Sequence, residues 1–378
     1  MVASTQQSRE LFAPSALPRK LRERWRSIRA PITVLEGIER RTGHPLKMLC
    51  GGMQQHLAYI SRLAYGENAP SQLALGKHWN SRLHAVQPRD WDIALLPAVL
   101  QTPRWLANPG LLMPWWVGGD MPTDPRLPGD HHSKSRKSDL SRIRRHQLTW
   151  EISHEPAHVE HFYDRMYAPL VHSSHGESVL PIAREKMLSR FSQQQSELLL
   201  IKQGATAIAG SVLLYDDDIP RRWADGVLDA AREHLAKGVI SALYLYSSEH
   251  LRGQGVERIG LGLSRPFLSD GVLTFKRKWG LRLTDYSEAG CRLHLGTNTP
   301  AVQAFLGHNP FIAWDDHGPY LAVFKQVDKA LQEKDLTKLR SEMATMGVRT
   351  LRVYGPRGDE SAGGNGEAVV TGDLPVGA

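Results

Sequence analysis

The sequence predicts a mixed α/β protein whose partly antiparallel sheet is flanked by helices. Apolar residues recur at helical spacing, as at Met53, Leu57, Ile60 and Ala64, the stripe of an amphipathic helix. Two apolar runs, 197–203 and 207–215, are joined through Gly204, which is the signature of a hairpin. From residue 156 onward the order reads helix, helix, hairpin, strand, helix, strand and a last hairpin. Helices must therefore cover a twisted sheet.

The chain has 378 residues, 41% hydrophobic and 23% charged, enough apolar material for two domains. No apolar run is long enough to cross a bilayer. The first thirty residues lack the apolar core of a secretory signal. Cys50 and Cys291, the 2 cysteines, form at most one bridge and no zinc cluster, so a reducing cytoplasm is the expected compartment. The formal charge of +8 attracts phosphate-bearing partners. It concentrates in Arg19, Lys20, Arg22, Arg24, Arg26 and Arg29, and again in Lys134, Arg136, Lys137, Arg142, Arg144 and Arg145.

Taken in order, residues 1–18 are polar and aperiodic, a flexible leader. Residues 35–41 read as a short helix stopped by Gly43 and Pro45. The Met53 stripe is the next helix, and Gly51-Gly52 before it reads as a plain turn. Segments 92–96 and 111–117 read as buried strands. Residues 118–130 are rich in Gly, Pro and Asp and read as a linker. This separates an N-terminal α/β domain at 19–118 from a second domain at 138–327, with 119–137 between them. The second domain opens with a basic segment and a strand within 140–151. Pro156 starts a helix at a position where its missing N–H costs nothing; Val159, Phe162, Tyr163 and Met166 line it and Pro169 closes it. A helix from Pro181 turns Ala183, Met187 and Phe191 inward. After the hairpin come a strand at 221–228, a helix at 239–251 behind Gly238, a strand where Ile259, Leu261 and Leu263 alternate with glycines, and a strand at 281–285. Thr299 and Pro300 cap a helix that stops at Gly307, and 311–314 with 320–324 form the last hairpin. Residues 328–354 hold a C-terminal helix, and the Gly-rich polar tail from 355 is expected to be disordered. No internal repeat is evident in the sequence.

The segment Ile259-Gly-Leu-Gly-Leu-Ser264-Arg265-Pro266-Phe267-Leu268-Ser-Asp270-Gly271-Val-Leu-Thr-Phe275-Lys276-Arg277-Lys278-Trp279-Gly280 resembles the late strand-and-loop block of FemAB-like transferases, a branch of the GNAT superfamily. Its most specific part is the FKxxWG sequence at 275–280, and the resemblance covers roughly half the chain. It implies a GNAT-like fold, with residues 30–118 as a degenerate first copy of a tandem pair. It also implies transfer of an acyl group to an amine or hydroxyl of a small-molecule, saccharide or peptide acceptor. The members that use aminoacyl-tRNA insert a long charged helical hairpin; the single helix expected near the C-terminus has no partner, so acyl-CoA, with acetyl as the acyl group, is the expected donor. Two other readings stay open: an aminoacyl-tRNA donor, and a catalytically inactive basic GNAT-like module that binds nucleic acid or anionic lipid. The second would bind with a steep dependence on salt.

A helix N-terminus combines unpaired N–H groups with the favourable end of the dipole and so holds phosphate. Lys237, Gly238 and Val239, with Arg232 and His234 in the preceding loop, offer that context after a strand and are the expected donor site. Arg252-Gly253-Gln254-Gly255 is set aside because Glu257 follows and a strand begins too soon; these glycines end a helix. Attack on the acyl carbon needs a base in reach. Asp225 is the candidate, with Tyr246 to protonate the leaving thiolate; Tyr244 falls on the apolar stripe of its helix. Ser264, Arg265, Asp270, Lys276, Lys278 and Trp279 are the expected substrate-facing residues, with the block's cations pointing outward and its aromatics anchoring it. His175, and His172 beside it, face the acceptor or stand in a polar surface loop. No metal site is expected.

Overall fold

The computed structural model describes residues 32–75, 91–98, 110–124, 134–175, 181–215, 218–286, 290–324 and 333–354. The leader at 1–18, the basic stretch Arg19–Arg29 and the tail from 355 lie outside them. Among the described residues the fold is mixed α/β, with three sheets, and the chain divides into two compact units. No described helix is long and apolar enough to cross a membrane.

The first unit takes the described parts of Met1–Val117, Arg265–Leu273 and Asp285–Ala378. Strands β1 (Ile32–Ile38) and β2 (Pro45–Gly51) pair antiparallel. Helix α1 (Gln54–Tyr65) follows and buries Leu57, Ile60 and Ala64, the expected stripe. Strand β3 (Ser71–Ala74) adds to β1, and β4 (Ile93–Pro97) runs parallel to β2. Strand β5 (Leu111–Met113) closes the sheet, with a strand from far along the chain, β13 (Cys291–Leu295), between it and β4. Cys50 and Cys291 are buried and free. A second sheet joins β14 (Phe311–Asp315), β15 (Gly318–Phe324) and β16 (Thr350–Tyr354). Helix α9 (Pro300–His308) begins as expected, with Thr299 Oγ1 accepting from the Val302 amide at 3.3 Å. Helix α10 (Glu333–Ala344) precedes β16, an unexpected strand parallel to β15.

The helix expected at 35–41 is instead the second half of β1 and a turn. Ile32-Thr33-Val34 is a β-forming start, and neighbours on both sides supply ladder bonds that outweigh the helical preference of Leu35-Glu36. The Tyr65 hydroxyl, donating to the Leu35 and Leu46 carbonyls at 3.1 and 3.2 Å, ties α1 to this pair.

The second unit is Gly118–Ser264 with Thr274–Thr284. Its seven strands lie in the order β12-β6-β11-β10-β9-β8-β7. They are β6 (Val117–Pro122), β7 (Leu148–Ser153), β8 (Ser196–Gln203), β9 (Thr206–Leu214), β10 (Arg221–Val227), β11 (Arg258–Ser264) and β12 (Arg282–Tyr286). The β8–β9 hairpin forms as expected. The expected linker at 118–130 is corrected: its first part is β6. A Cβ on Gly119 would lie 1.8 Å from the Arg282 carbonyl oxygen, so this glycine marks a close backbone approach rather than a loop.

Helix α2 (Lys134–Arg145) precedes β7. Helix α3 (Pro156–Phe162), a π-helical turn (Tyr163–Tyr167) and α4 (Ala168–His175) run on without a break. Pro169 therefore does not close the helix. It follows a turn already widened, where the Ala168 amide reaches back to the Tyr163 carbonyl. The helix settles on Gly210 and Gly226, which face each other across β9 and β10. A Cβ on Gly226 would meet Met166 and Tyr167 backbone atoms at 2.7 Å, and one on Gly210 would meet Phe162 at 2.8 Å. Helix α5 (Arg184–Ser192) buries Met187. Helices α6 (Arg232–Ala236) and α7 (Val239–Gly253) link β10 to β11, and α8 (Gly271–Lys278) precedes β12.

The units are not the linear halves expected from the sequence. The second ends far short of residue 327, and the hairpin at 311–324 belongs to the first.

Candidate functional site

The connection from β10 to α7 carries two consecutive residues in the left-handed region. Asp229 and Ala230 both have φ of 51°, which costs strain in residues with a Cβ. Arg165 braces the turn through two 2.8 Å hydrogen bonds to the two Asp229 oxygens. Helix α6 follows, then Gly238 at φ 87°, a conformation natural only to glycine, and α7 begins.

The expected donor residues gather here. No side chain caps α7. Lys237 Nζ donates to Gln203 Oε1 at 3.0 Å, and Arg142 from α2 lies over Gly238, whose Cβ would touch it at 3.5 Å. Arg232 is exposed at the start of α6. His234 is mostly enclosed, with Nδ1 buried and unbonded and Nε2 at 3.8 Å from Glu233.

A carboxylate already stands near the first turn. Asp139 of α2, 4% exposed, accepts from the Ser241 hydroxyl at 2.8 Å and from Lys278 Nζ. Arg142 is 3.5 Å from its other oxygen. The anion is thus held by a hydroxyl from the first turn of α7 and two cations.

Lys278 reaches this cluster because the 275–279 block is not an outward-facing loop. It is the last turn of α8, packed against α7. Tyr244 meets Phe275 edge-on at 5.1 Å and Trp279 at 5.7 Å, and Arg136 lies over Trp279 at 5.0 Å. Lys276 is 5% exposed and donates to the Gly262 and Leu263 carbonyls at 3.1 and 2.8 Å. The aromatics anchor the segment as expected. The cations Lys276 and Lys278 turn inward because the Gly262 and Leu263 carbonyls and the Asp139 carboxylate are there to receive them.

Asp225 sits on β10, opposite Ser211. Its Oδ1 accepts from the Ser211 hydroxyl at 2.7 Å. Its Oδ2 is 2.7 Å from Nη2 of Arg222, but without the alignment of a hydrogen bond. Arg222 is 3% exposed in its side chain, Asp225 32%. The guanidinium lies 3.7 Å over the Tyr244 ring. Burial pushes the Tyr244 phenol up to about 12, against the opposing effect of Arg222. Tyr246 does not join this group. Its hydroxyl donates to the Leu148 carbonyl and its ring stacks on Trp150, since two positions along a helix point to different faces. Burial raises its phenol. Arg222 is the residue that sequence reasoning missed at Asp225; Tyr244, on the apolar stripe of its helix, is the tyrosine that the structure brings there rather than Tyr246.

Ser264 is buried with an unbonded hydroxyl. Arg265 and Asp270 belong to the first unit. Arg265 stacks on Trp116 at 3.8 Å and Tyr59 at 4.7 Å, and donates to His56 Nδ1 at 2.7 Å. Asp270 accepts from Tyr59 and from the Leu273 amide, so it caps α8. The backbone of His175 ends α4, and His172 bonds within that helix to the Ala168 carbonyl at 2.7 Å. Among the described residues no three His, Cys, Asp or Glu side chains converge as a metal site.

Strands β10 and β11 are parallel, yet among the described residues their ladder holds the single pair Arg221↔Gly260. The stretch of β10 that carries Asp225 has no β11 partner in that ladder. The loop with Gly253 and Gly255 ends α7 and leads into β11, as expected.

No protein-family model matches the chain, and no curated protein matches it in sequence. Solved structures similar to it include L-PGS from Bacillus licheniformis, 11% identical, covering 70% of this chain and 85% of that chain at a TM-score of 0.35. FemX is 10% identical over 72% of this chain and 90% of that chain, TM-score 0.34. A GCN5-related N-acetyltransferase from Kribbella flavida is 9% identical over 86% of this chain and 70% of that chain, TM-score 0.27.

Proposed function

We propose that the chain is an acyltransferase of GNAT-like build that moves an acyl group, acetyl in the simplest case, from acyl-CoA to an amine or hydroxyl. The observation that carries this reading is the short β10–β11 ladder, which leaves the Asp225 stretch of β10 without a β11 partner ahead of the start of α7. Strands that do not pair leave main-chain N–H and C=O groups for an extended ligand to pair with. The pantetheine arm of CoA is such a ligand, with two amides, and its pyrophosphate is proposed to sit at the end of α7 beside Lys237. Asp225, on the unpaired stretch of β10, is the proposed base. Ser264, Lys276, Lys278 and Trp279 are proposed to shape the acceptor side through the packing of α8 on α7.

Both units share an order that supports a tandem reading: an antiparallel pair, a helix, and a strand parallel to the second of the pair. In the first unit these are β1, β2, α1 and β4; in the second, β9, β10, α7 and β11.

Calorimetric titration with acetyl-CoA tests the proposal. Lys237→Glu is expected to weaken binding by about 1–3 kcal/mol, the scale of a charge-assisted contact, and Arg252→Ala by less. A larger loss at Arg252 moves the donor to the other loop. Exposed Lys134, Lys137, Arg144 and Arg145 on α2 favour testing tRNA in parallel. Retention of tRNA at moderate salt with no binding of acetyl-CoA selects the nucleic-acid readings instead.

A further inference from the structure

At the opposite end of α7 the second unit holds a cavity of about 660 Å³, lined by residues of α5, β8 and the loops around them. Its volume suits one small molecule. Among the described residues Glu197 supplies the one carboxylate in its lining, and the two carboxylate oxygens differ. Oε2 accepts from the Tyr215 hydroxyl at 2.7 Å and is 2.7 Å from Nε2 of His250. Oε1 faces Nε2 of His154 at 3.9 Å, too far for a hydrogen bond. Burial by itself would raise this carboxyl, but the bonds from His250 and Tyr215 outweigh it and hold Glu197 below its ordinary value. The group is therefore a carboxylate with one oxygen satisfied and one open to the cavity.

Two further features set this wall apart from ordinary surface. Ser196, 4% exposed, keeps a buried hydroxyl with no hydrogen-bond partner. Gln194, in the turn that leads from α5 into β8, is held at φ 54°, a strained conformation for a residue with a Cβ. Unsatisfied polarity and backbone strain both cost stability, and both occur in the lining of this cavity.

We propose that this cavity binds a small molecule bearing a primary ammonium group, seated on Glu197 Oε1 between that oxygen and His154. An anion would meet the carboxylate. A neutral ligand would leave Oε1 without a charged partner. A quaternary ammonium would present no N–H to the open oxygen, and the lining lacks the set of aromatic faces that holds such ions. A primary ammonium donates to Oε1 and has further N–H groups for the polar wall. This assignment stands apart from the donor site at Lys237 and does not require it.

The test titrates the full chain with 4-aminobutan-1-ol, using butane-1,4-diol and butyrate as controls of the same length, by calorimetry and by NMR of the histidine ring signals. The amine is expected to bind saturably and to shift the rings of His154 and His250, with the diol and butyrate at least tenfold weaker. Glu197→Gln is expected to weaken the amine at least tenfold. Ser192→Leu, which fills the cavity without touching the carboxylate, is expected to do the same and decides the matter if Glu197→Gln does not fold. Equal binding of the diol, absence of saturable amine binding, or full amine affinity in either folded variant overturns the proposal.

Discussion

Asp225 is placed between a serine hydroxyl and a buried guanidinium, so a substitution there has two separable consequences. As the proposed general base it would contribute about a hundredfold or more to turnover. Asp225→Asn should therefore lower kcat by that factor and leave acetyl-CoA affinity unchanged, because the effect belongs to the transition state. If the residue serves only to neutralise Arg222, the variant melts lower and keeps its turnover. Two histidines of the first unit give a clear pH prediction. Burial, with Arg265 adding to it, lowers His56 to about 3, and burial with Arg292 lowers His294 to about 4. Both folded values lie below the ordinary 6.5. The stability linked to the neutral rings is full above that pH and is lost as pH falls toward the folded values. Between pH 6 and 4 each ring removes up to about 1.4 kcal/mol per pH unit. His56→Gln should flatten the fall of Tm with pH over that window. An unchanged slope would mean that the ring is already protonated in the folded chain. At this scale the sequence marked Asp225 and Lys237 by type and context. It could not mark Arg222, whose importance comes from what burial places around it.

At the scale of elements, close approach decides where glycine must stand. Gly226→Ala puts a methyl 2.7 Å from the backbone of the π-helical turn, and neither partner is a flexible side-chain tip. A loss of about 1–3 kcal/mol is expected from such overpacking, read as a lower urea midpoint at unchanged slope. The α8 block makes a second case. Lys278 and Asp139 are both largely buried, at 14% and 5% side-chain exposure. Lys278→Met leaves the carboxylate without its main cation and should cost about 3–5 kcal/mol, whereas adding Asp139→Asn should recover part of that loss. Additive losses in the double variant would show that the pair does not interact. The sequence pattern located α8's aromatics correctly because aromatic anchoring follows from burial alone. It misdirected the lysines because the default for a cation is solvent, and only a neighbouring carboxylate and bare carbonyls reverse that default.

At the scale of the whole molecule, strands are exchanged between distant parts of the chain. Strand β6 lies between β12 and β11 in the second unit, and β13 lies between β4 and β5 in the first. A fragment of residues 1–118 therefore lacks the strand that joins its own β4 to β5. It should remain largely unfolded by circular dichroism, while the full chain shows the expected α/β signal. A cooperative melting transition in the fragment would mean that β13 is dispensable to the first sheet.

The sequence by itself determined most of the periodic elements: α1, the β8–β9 hairpin, β10, α7, β11, α9 and the β14–β15 hairpin. Each is announced by local spacing, a turn glycine or a cap, and local rules suffice because these elements satisfy their own pattern. Tertiary structure alone decided the rest. Residues 35–41 became strand because two neighbours were there to pair with them. The Gly-rich segment after Val117 became β6 because Gly119 fits against a carbonyl more than a hundred and sixty positions away in the chain. The domain boundary at 118 was legible as a change in composition, but the return of the chain from residue 285 to the first unit was not. Which strand a strand pairs with depends on backbone groups that every residue carries, so composition does not encode it. The choice is made by the packing of the whole core.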